Sequence, residues 1–389
     1  MGILIIMKKV CFISQWPMHY HIPIYKMLSK LKNIDVTILY CDDITIKGYY
    51  ENEMKANRDW SDTNLLDGYQ HIFFKNYIKQ SNNYKFLTLF NPGIIYHLLS
   101  RRYDVVNIRG YIGFTFIFAL ISSKLSSAKT IFQGETTLRN KENNFFKKVY
   151  LKIFFSFIDL AFYSCEGNKK FLDYYASGVR KVYAPCAVDN SYYQMQSKKF
   201  KDKVFKTRSS LGIGKNDIVV LTVGKIYARK RPLDILKAIK LTKNVNFVAV
   251  FVGDGDLKDT VKKFADEHGV RVVLPGYKTS KNVLPFYSIA NIYAQVSEYD
   301  PSPKSLNESM NFGLPVVVTN TIGTSQDLVN PNINGYKVDV GDIEKISNSF
   351  IQLIDKKKRV KMGNESLKKI NQFSIERKVN SMNKELEIL

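Results

Sequence analysis

Ser297-Glu-Tyr-Asp-Pro-Ser-Pro-Lys-Ser-Leu-Asn-Glu-Ser-Met-Asn-Phe-Gly-Leu-Pro-Val-Val-Val-Thr319 follows a short, mostly apolar run from Asn291 to Val296. A run of that length bounded by turn residues predicts a buried strand ending at Ser297. Asp300-Pro301-Ser302-Pro303 then predicts a helix start, with Ser302 as its cap and Pro303 in the first helical position. Gly313 should close that helix, and Pro315 should open the next strand, Val316 to Val318. Amide groups at the helix start, from Pro303 to Leu306 with the proline excepted, would gather positive potential where the first strand stops, beside Ser302, Lys304 and Ser305. That makes an anion site, and Lys304 adds a mobile cation to it.

Two carboxylates bracket this site, Asp300 in the turn and Glu308 in the helix, with seven residues between them. A carboxylate beside a phosphate is unfavourable unless it accepts hydrogen bonds from another part of the ligand, and sugar hydroxyls are suitable donors. The pattern therefore suits a sugar joined to a diphosphate. Two plainer readings stand beside it. Ser305-x-x-Glu308 fits a capping box, and Asp300 fits an ordinary turn aspartate.

The surrounding chain alternates strands and helices. Ile218–Val223 reads as a strand, and Gly224, Lys225, Arg229, Lys230 and Arg231 follow it closely. Cations gathered at one strand end can neutralise a diphosphate as the leaving group gains charge, although a solvated helix start has the same composition. Phe247–Val252 leads to Gly253-Asp254-Gly255, and Val270–Leu274 leads to Pro275-Gly276-Tyr277. In the first half, strands are expected at Val10–Ile13, Val36–Tyr40, Val105–Ile108, Lys129–Phe132, Leu160–Tyr163 and Val182-Tyr183. A buried helix should run from Tyr111 to Lys124, and residues 42–82 should form a long loop or lid. The polar stretch from Asp189 to Lys206 suggests a linker around Asp189 to Tyr193. The expected domains are therefore 1–190 and 191–373, with an amphipathic segment at 374–389. Such alternation predicts α/β folding into two doubly wound parallel sheets that bind ligands at the carboxyl ends of their strands.

These motifs together resemble family-four retaining glycosyltransferases of the GT-B fold. The resemblance rests on an acid, seven residues, a glutamate, then a small residue, Met and Gly-x-Pro before the valine run. The family usually has Glu at the first acidic position, where this chain has Asp300. It also carries a Gly-Arg pair followed by a Lys; Lys225 stands at the Arg position and Lys230 at the Lys. Gly253-Asp254-Gly255 resembles a further family turn, and Gly276-Tyr277 the turn that holds the nucleotide base. The resemblance implies two Rossmann-like domains facing each other across a cleft, the first binding acceptor and the second a nucleotide diphosphate sugar. The 374–389 helix should pack back on the first domain. Asp300 would bind donor-sugar hydroxyls, Glu308 the ribose, and Lys225 and Lys230 the phosphates. Glu135, after a central strand of the first domain, would meet the acceptor hydroxyl. No metal and no further cofactor would be required, because the lysines and the helix end do the electrostatic work, and no separate protein base, because the departing phosphate helps remove the acceptor proton.

The 389-residue chain carries a net charge of +23. Such a field favours anionic partners: phosphorylated substrates, anionic lipid or nucleic acid. The basic residues are spread along the chain rather than drawn into a stripe, which counts against nucleic acid. A lipid-linked glycan acceptor at an anionic membrane suits the charge, and so does peripheral contact with that membrane. The segment Phe145 to Phe155, aromatic and lysine-rich, could lie on a bilayer, but a core-facing helix with a solvated lysine face has the same pattern. Cys11, Cys41, Cys165 and Cys186 are scattered without a paired motif, which points to free thiols in the cytoplasm, in reach of the inner face of the plasma membrane. No stretch is long enough to cross a bilayer. Gly253-x-Gly255 lacks the third glycine of a dinucleotide fingerprint, and Gly212-Ile-Gly214-Lys215 lacks P-loop spacing. His19-x-His21 has no neighbouring carboxylate or cysteine to complete a metal site, so those histidines, with Arg109, are assigned to substrate contact. A sugar-nucleotide epimerase of the same fold and a basic nucleic-acid-binding protein are the alternatives from other classes.

Overall fold

A computed structural model describes residues 7–51, 56–58, 63–78, 89–138, 144–243 and 245–389. Its strands are β1 (Lys8–Ser14), β2 (Ile34–Tyr40), β3 (Tyr49–Glu51), β4 (Ala56–Arg58), β5 (Gln70–Phe73), β6 (Val105–Ile108), β7 (Lys129–Gln133), β8 (Leu160–Tyr163) and β9 (Arg180–Tyr183). They continue with β10 (Ile218–Val223), β11 (Phe247–Val252), β12 (Arg271–Gly276), β13 (Ile292–Gln295), β14 (Val316–Thr319) and β15 (Gly335–Val338). Seven strands form one sheet in the order β5-β2-β1-β6-β7-β8-β9, and six form another in the order β12-β11-β10-β13-β14-β15. Every pairing described within these two sheets is parallel. Central strands such as Phe247–Val252 are buried along their whole length, as parallel strands covered by helices on both faces must be.

Each sheet winds outward in both directions from its first strand, so each has a point where the order reverses. Loops leaving the two strands at that point diverge and open a crevice. In the first sheet the reversal lies between β1 and β6, and in the second between β10 and β13.

The described residues of Met1–Tyr49, Arg58–Pro185 and Ile375–Leu389 form one compact unit, and those of Tyr50–Asn57 and Cys186–Ser374 a second. The units part at Pro185 rather than at residue 190. The supposed linker is helical, Asn190–Phe200 and then Val204–Ser210. Asp189 caps the first of these through the Tyr192 amide at 2.8 Å, and Tyr193 is buried. Lysines on the outer face hid the pattern. The loop expected over 42–82 also contains structure, since Gln70–Phe73 is the edge strand β5, paired with β2. Its half-buried side chains give no clean alternation.

The helix Ile375–Ile388 clusters with the first unit, where Arg180 pairs with Glu385 at 2.7 Å and Lys378 donates to the Pro185 carbonyl at 3.1 Å. The helix Phe114–Leu125 was expected to be buried. It buries Phe116, Ala119 and Leu120 but leaves Ile121 and Leu125 exposed.

Candidate functional site

In the second unit the site is assembled at the carboxyl ends of β10, β11, β12 and β13. After β10 the chain passes Gly224 and Lys225, makes a short 3-10 turn at Ala228–Lys230, and enters the helix Pro232–Leu241. After β11 it passes Gly253-Asp254-Gly255. The two loops are laid backbone on backbone: Gly224 N–H donates to the Val252 carbonyl at 3.0 Å and Ile226 N–H to the Asp254 carbonyl at 2.9 Å. A Cβ on Gly253 would lie 1.9 Å from the Gly224 oxygen, and one on Gly255 2.5 Å from the Ile226 oxygen. The glycines are there because nothing larger fits between the two loops. Asp254 itself is held by Lys258 at 2.7 Å, and its carboxylate lies beside Gly276 at the end of β12. Tyr277 follows directly.

Lys230 meets Asp300 across the reversal point, its ammonium on Oδ2 of the carboxylate. Both side chains are largely shielded from water. Gln295, at the end of β13, donates to the same Asp300 oxygen at 2.8 Å. The Tyr293 hydroxyl lies 2.7 Å from the Gln295 side-chain oxygen Oε1 and 2.7 Å from the Ser305 hydroxyl. Lys230, Asp300, Gln295, Tyr293 and Ser305 thus form one polar chain joining the ends of two strands, β10 and β13, to the helix that follows β13. Gln295 was not singled out from sequence, although a glutamine inside an apolar strand was a readable signal. Arg229 donates to the Tyr227 hydroxyl at 2.6 Å and stacks over the rings of Tyr227 and Tyr299. Lys225 pairs with Glu51 at 3.5 Å, a partner from the 50–57 segment that spacing along the chain could not reveal.

The helix after Asp300 runs Lys304–Asn311, with Pro303 rather than Ser302 at its cap. Pro301 and Pro303 each bias the residue before them towards an extended backbone, so the helix starts one residue late. Ser302 instead contacts the Cys186 sulfur at 2.8 Å, and Lys304 donates to the same sulfur at 3.0 Å. Leu306 N–H is bonded to the Pro303 carbonyl at 3.2 Å, so it is not held out to a ligand as expected. At the other end Gly313 sits at φ +67°. Its N–H bonds the Met310 carbonyl and the Leu314 N–H bonds the Ser309 carbonyl, the paired closure of a Schellman motif.

Glu308 is buried within the second unit. Its two oxygens accept hydrogen bonds from Tyr193 at 2.9 Å and Tyr287 at 2.6 Å. It lies too far into the helix to cap it, so the capping-box reading fails. Burial pushes the Glu308 carboxyl up from its ordinary value, opposed by the hydrogen bonds from Tyr287 and Tyr193 and by the nearby Lys304. Burial, with the Glu308 charge second, pushes both tyrosines up as well. A raised carboxyl pKa means the folded state holds that proton more tightly than the unfolded chain. Stability is therefore lost as pH rises from the ordinary carboxylate range through the folded value. Glu308→Gln should flatten that slope and leave the ligand-free protein at least as stable at neutral pH. Urea denaturation across this window checks it, and an unchanged slope would contradict the assignment.

The remaining expected site residues belong to the first unit. His19 and His21 follow β1, Arg109 follows β6, and Glu135 follows β7. Arg109 lies 2.6 Å from His21 Nε2 and donates to the Tyr25 hydroxyl at 2.5 Å. Here too a basic residue bridges the point where the strand order reverses. Among the described residues no cluster of three or more His, Cys, Asp or Glu is placed to hold a metal ion. No helix among them is long and apolar enough to cross a membrane.

Comparison with known proteins follows the same division. Residues 203–369 match the family described as Glycosyl transferases group 1. The chain is 26% identical over 181 residues to the Escherichia coli UDP-Gal:alpha-D-GlcNAc-diphosphoundecaprenol alpha-1,3-galactosyltransferase, covering 44% of this chain and 46% of that protein. It is 29% identical over 164 residues to the lipopolysaccharide core biosynthesis glycosyltransferase LpsE of Rhizobium meliloti, covering 41% and 46%. The matched region thus spans about half the length of these relatives. The crystal structure of Anabaena Alr3699/HepE in complex with UDP superimposes with a TM-score of 0.74 at 17% identity, covering 98% of this chain and all of that one (100%). With two parallel Rossmann-like sheets and this match over 203–369, the chain has the GT-B fold and carries a group 1 glycosyltransferase domain.

Proposed function

We propose that the protein transfers a sugar from a nucleotide diphosphate sugar, with uridine as the base, to a hydroxyl of a glycan carried on a lipid, with retention at the anomeric carbon. The observation that carries this reading is the contact of Lys230 with Asp300 where β10 and β13 diverge. A cation and an acid held together at a ligand crevice suit a ligand with phosphate and hydroxyl groups side by side. The UDP complex of HepE and the undecaprenyl-linked substrate named for the Escherichia coli relative support the choice of donor and acceptor.

In this reading Lys225, Lys230 and Lys304, with the amino end of the Lys304–Asn311 helix, take up the charge that grows on the leaving diphosphate. Asp300, steadied by Gln295, accepts hydrogen bonds from the donor sugar. Glu308 would exchange the hydroxyls of Tyr193 and Tyr287 for those of ribose, so the buried carboxylate stays satisfied throughout. The acceptor oxygen bonds to the anomeric carbon on the face from which the diphosphate leaves, and a phosphate oxygen carries off the acceptor proton. Glu135, His19, His21 and Arg109 are assigned to the acceptor side. Four buried free cysteines suit a reducing compartment.

The test is a screen of UDP-sugars with a lipid-linked acceptor, the product linkage being read by NMR. An axial donor linkage retained in the product supports the reading. An inverted linkage sinks the mechanism, and an epimerised donor formed without acceptor sinks the transferase. Because lysines supply the positive charge, transfer should persist in excess EDTA, and its loss there would require a metal in the account.

A further inference from the structure

Two helices of the first unit carry a surface that the proposed chemistry does not use. The helix Phe114–Leu125 turns Ile121 and Leu125 outward, 53% and 71% exposed. The helix Phe145–Ser156 buries Leu151, Phe154 and Phe155 but shows Phe145 at 70%, Phe146 at 83% and Ile153 at 56%. Between them runs a groove of about 450 Å³ lined by Ile117, Ile121, Leu125, Ile153 and Phe157. Single exposed apolar side chains are ordinary; a contiguous groove with aromatic flanks is not.

The charges carried by the two helices themselves have one sign. Neither helix contains an aspartate or glutamate, while Lys124, Lys147, Lys148 and Lys152 lie on them. Lys124 lines the groove itself and reaches Asp159 at 2.7 Å. A helix that faced only water would mix both signs. An apolar face bordered by lysines matches a layer of acyl chains beneath anionic headgroups.

We propose that this groove is the face by which the protein docks on an anionic phospholipid bilayer. Acyl chains pack on Ile121, Leu125, Phe146 and Ile153, and headgroup phosphates meet the four lysines. The inference goes beyond the transferase reading and is tested without donor or acceptor, so either can fail alone.

A net charge of +23 will draw the protein to anionic vesicles through any face, so the test must be local. The four native cysteines are buried, which allows a single dye to be placed on the full chain as Phe146→Cys, with Phe205→Cys as a control. Phe205 is also exposed, at 71%, but lies in the second unit. With phosphatidylcholine–phosphatidylglycerol vesicles the dye at position 146 should brighten, shift to the blue and be quenched by brominated acyl chains. The dye at 205 should not respond, and phosphatidylcholine alone should give little change. Ile121→Ser with Ile153→Ser should lower vesicle partitioning by about tenfold at physiological salt. If that variant does not fold, the contrast between the two dye positions decides alone. Equal responses at both positions, no response at 146, or partitioning unchanged in the folded double variant overturns the proposal. So does a blue-shifted dye at 146 without vesicles in a protein that sediments as a dimer.

Discussion

Lys230→Ala should lower sugar transfer by about 10²–10³-fold, the usual cost of removing one fixed charge-stabilising donor from a transition state. Lys230 is placed by the short turn after β10 and held against Asp300, which Gln295 holds from the other side. The ammonium is therefore fixed before substrate arrives, and it needs no reorganisation as charge builds on the leaving diphosphate. The loss should fall mainly on kcat, because that charge is larger in the transition state than in the bound substrate. Lys230→Arg should recover part of the rate, since it keeps the charge in a different geometry. Melting temperatures must be read alongside, because removing one partner of a shielded pair leaves the other uncompensated. A folded Lys230→Ala protein with near-normal kcat would remove the site from β10 and β13 altogether.

The second large effect is structural and falls on Gly253. Gly253→Ala should destabilise the second unit by about 4 kcal/mol or more, in the exceptional range for a single substitution. The new Cβ would stand 1.9 Å from the Gly224 oxygen, a backbone atom that cannot rotate away. Relief requires the β10 and β11 loops to separate, breaking the bonds from Gly224 to Val252 and from Ile226 to Asp254. Lys225 and Lys230 sit on the loop that would move. Gly269→Ala separates this clash from simple backbone strain. That residue has φ +63° but open space around it, so only the left-handed penalty of about 1–2 kcal/mol applies. Urea midpoints for the two variants check the comparison. Equal losses would mean that the close approach of the loops is not what requires glycine at 253.

The glycine turns, the positions of the strands in the second half and the basic turn after the first of them were all legible along the chain. Each rests on local rules: an apolar run makes a strand, proline and glycine punctuate it, and parallel strands bring their carboxyl ends to one edge. Such rules failed where a residue's role depends on a distant partner. The stretch after Asp189 looked like a polar linker because its lysines outnumber its buried residues, yet Tyr193 is there to bond Glu308. The Phe145–Ser156 segment left two readings open, and only packing showed that Phe145 and Phe146 face outward.

By itself, then, the sequence determined the alternating α/β architecture and which residues stand at the strand ends, since both follow from neighbours a few positions apart. The tertiary structure alone decided which cation meets Asp300, what surrounds Glu308, that Glu51 reaches Lys225, and which apolar face is left uncovered. Those are contacts between residues tens to hundreds of positions apart, and their geometry is set by how helices settle on a finished sheet.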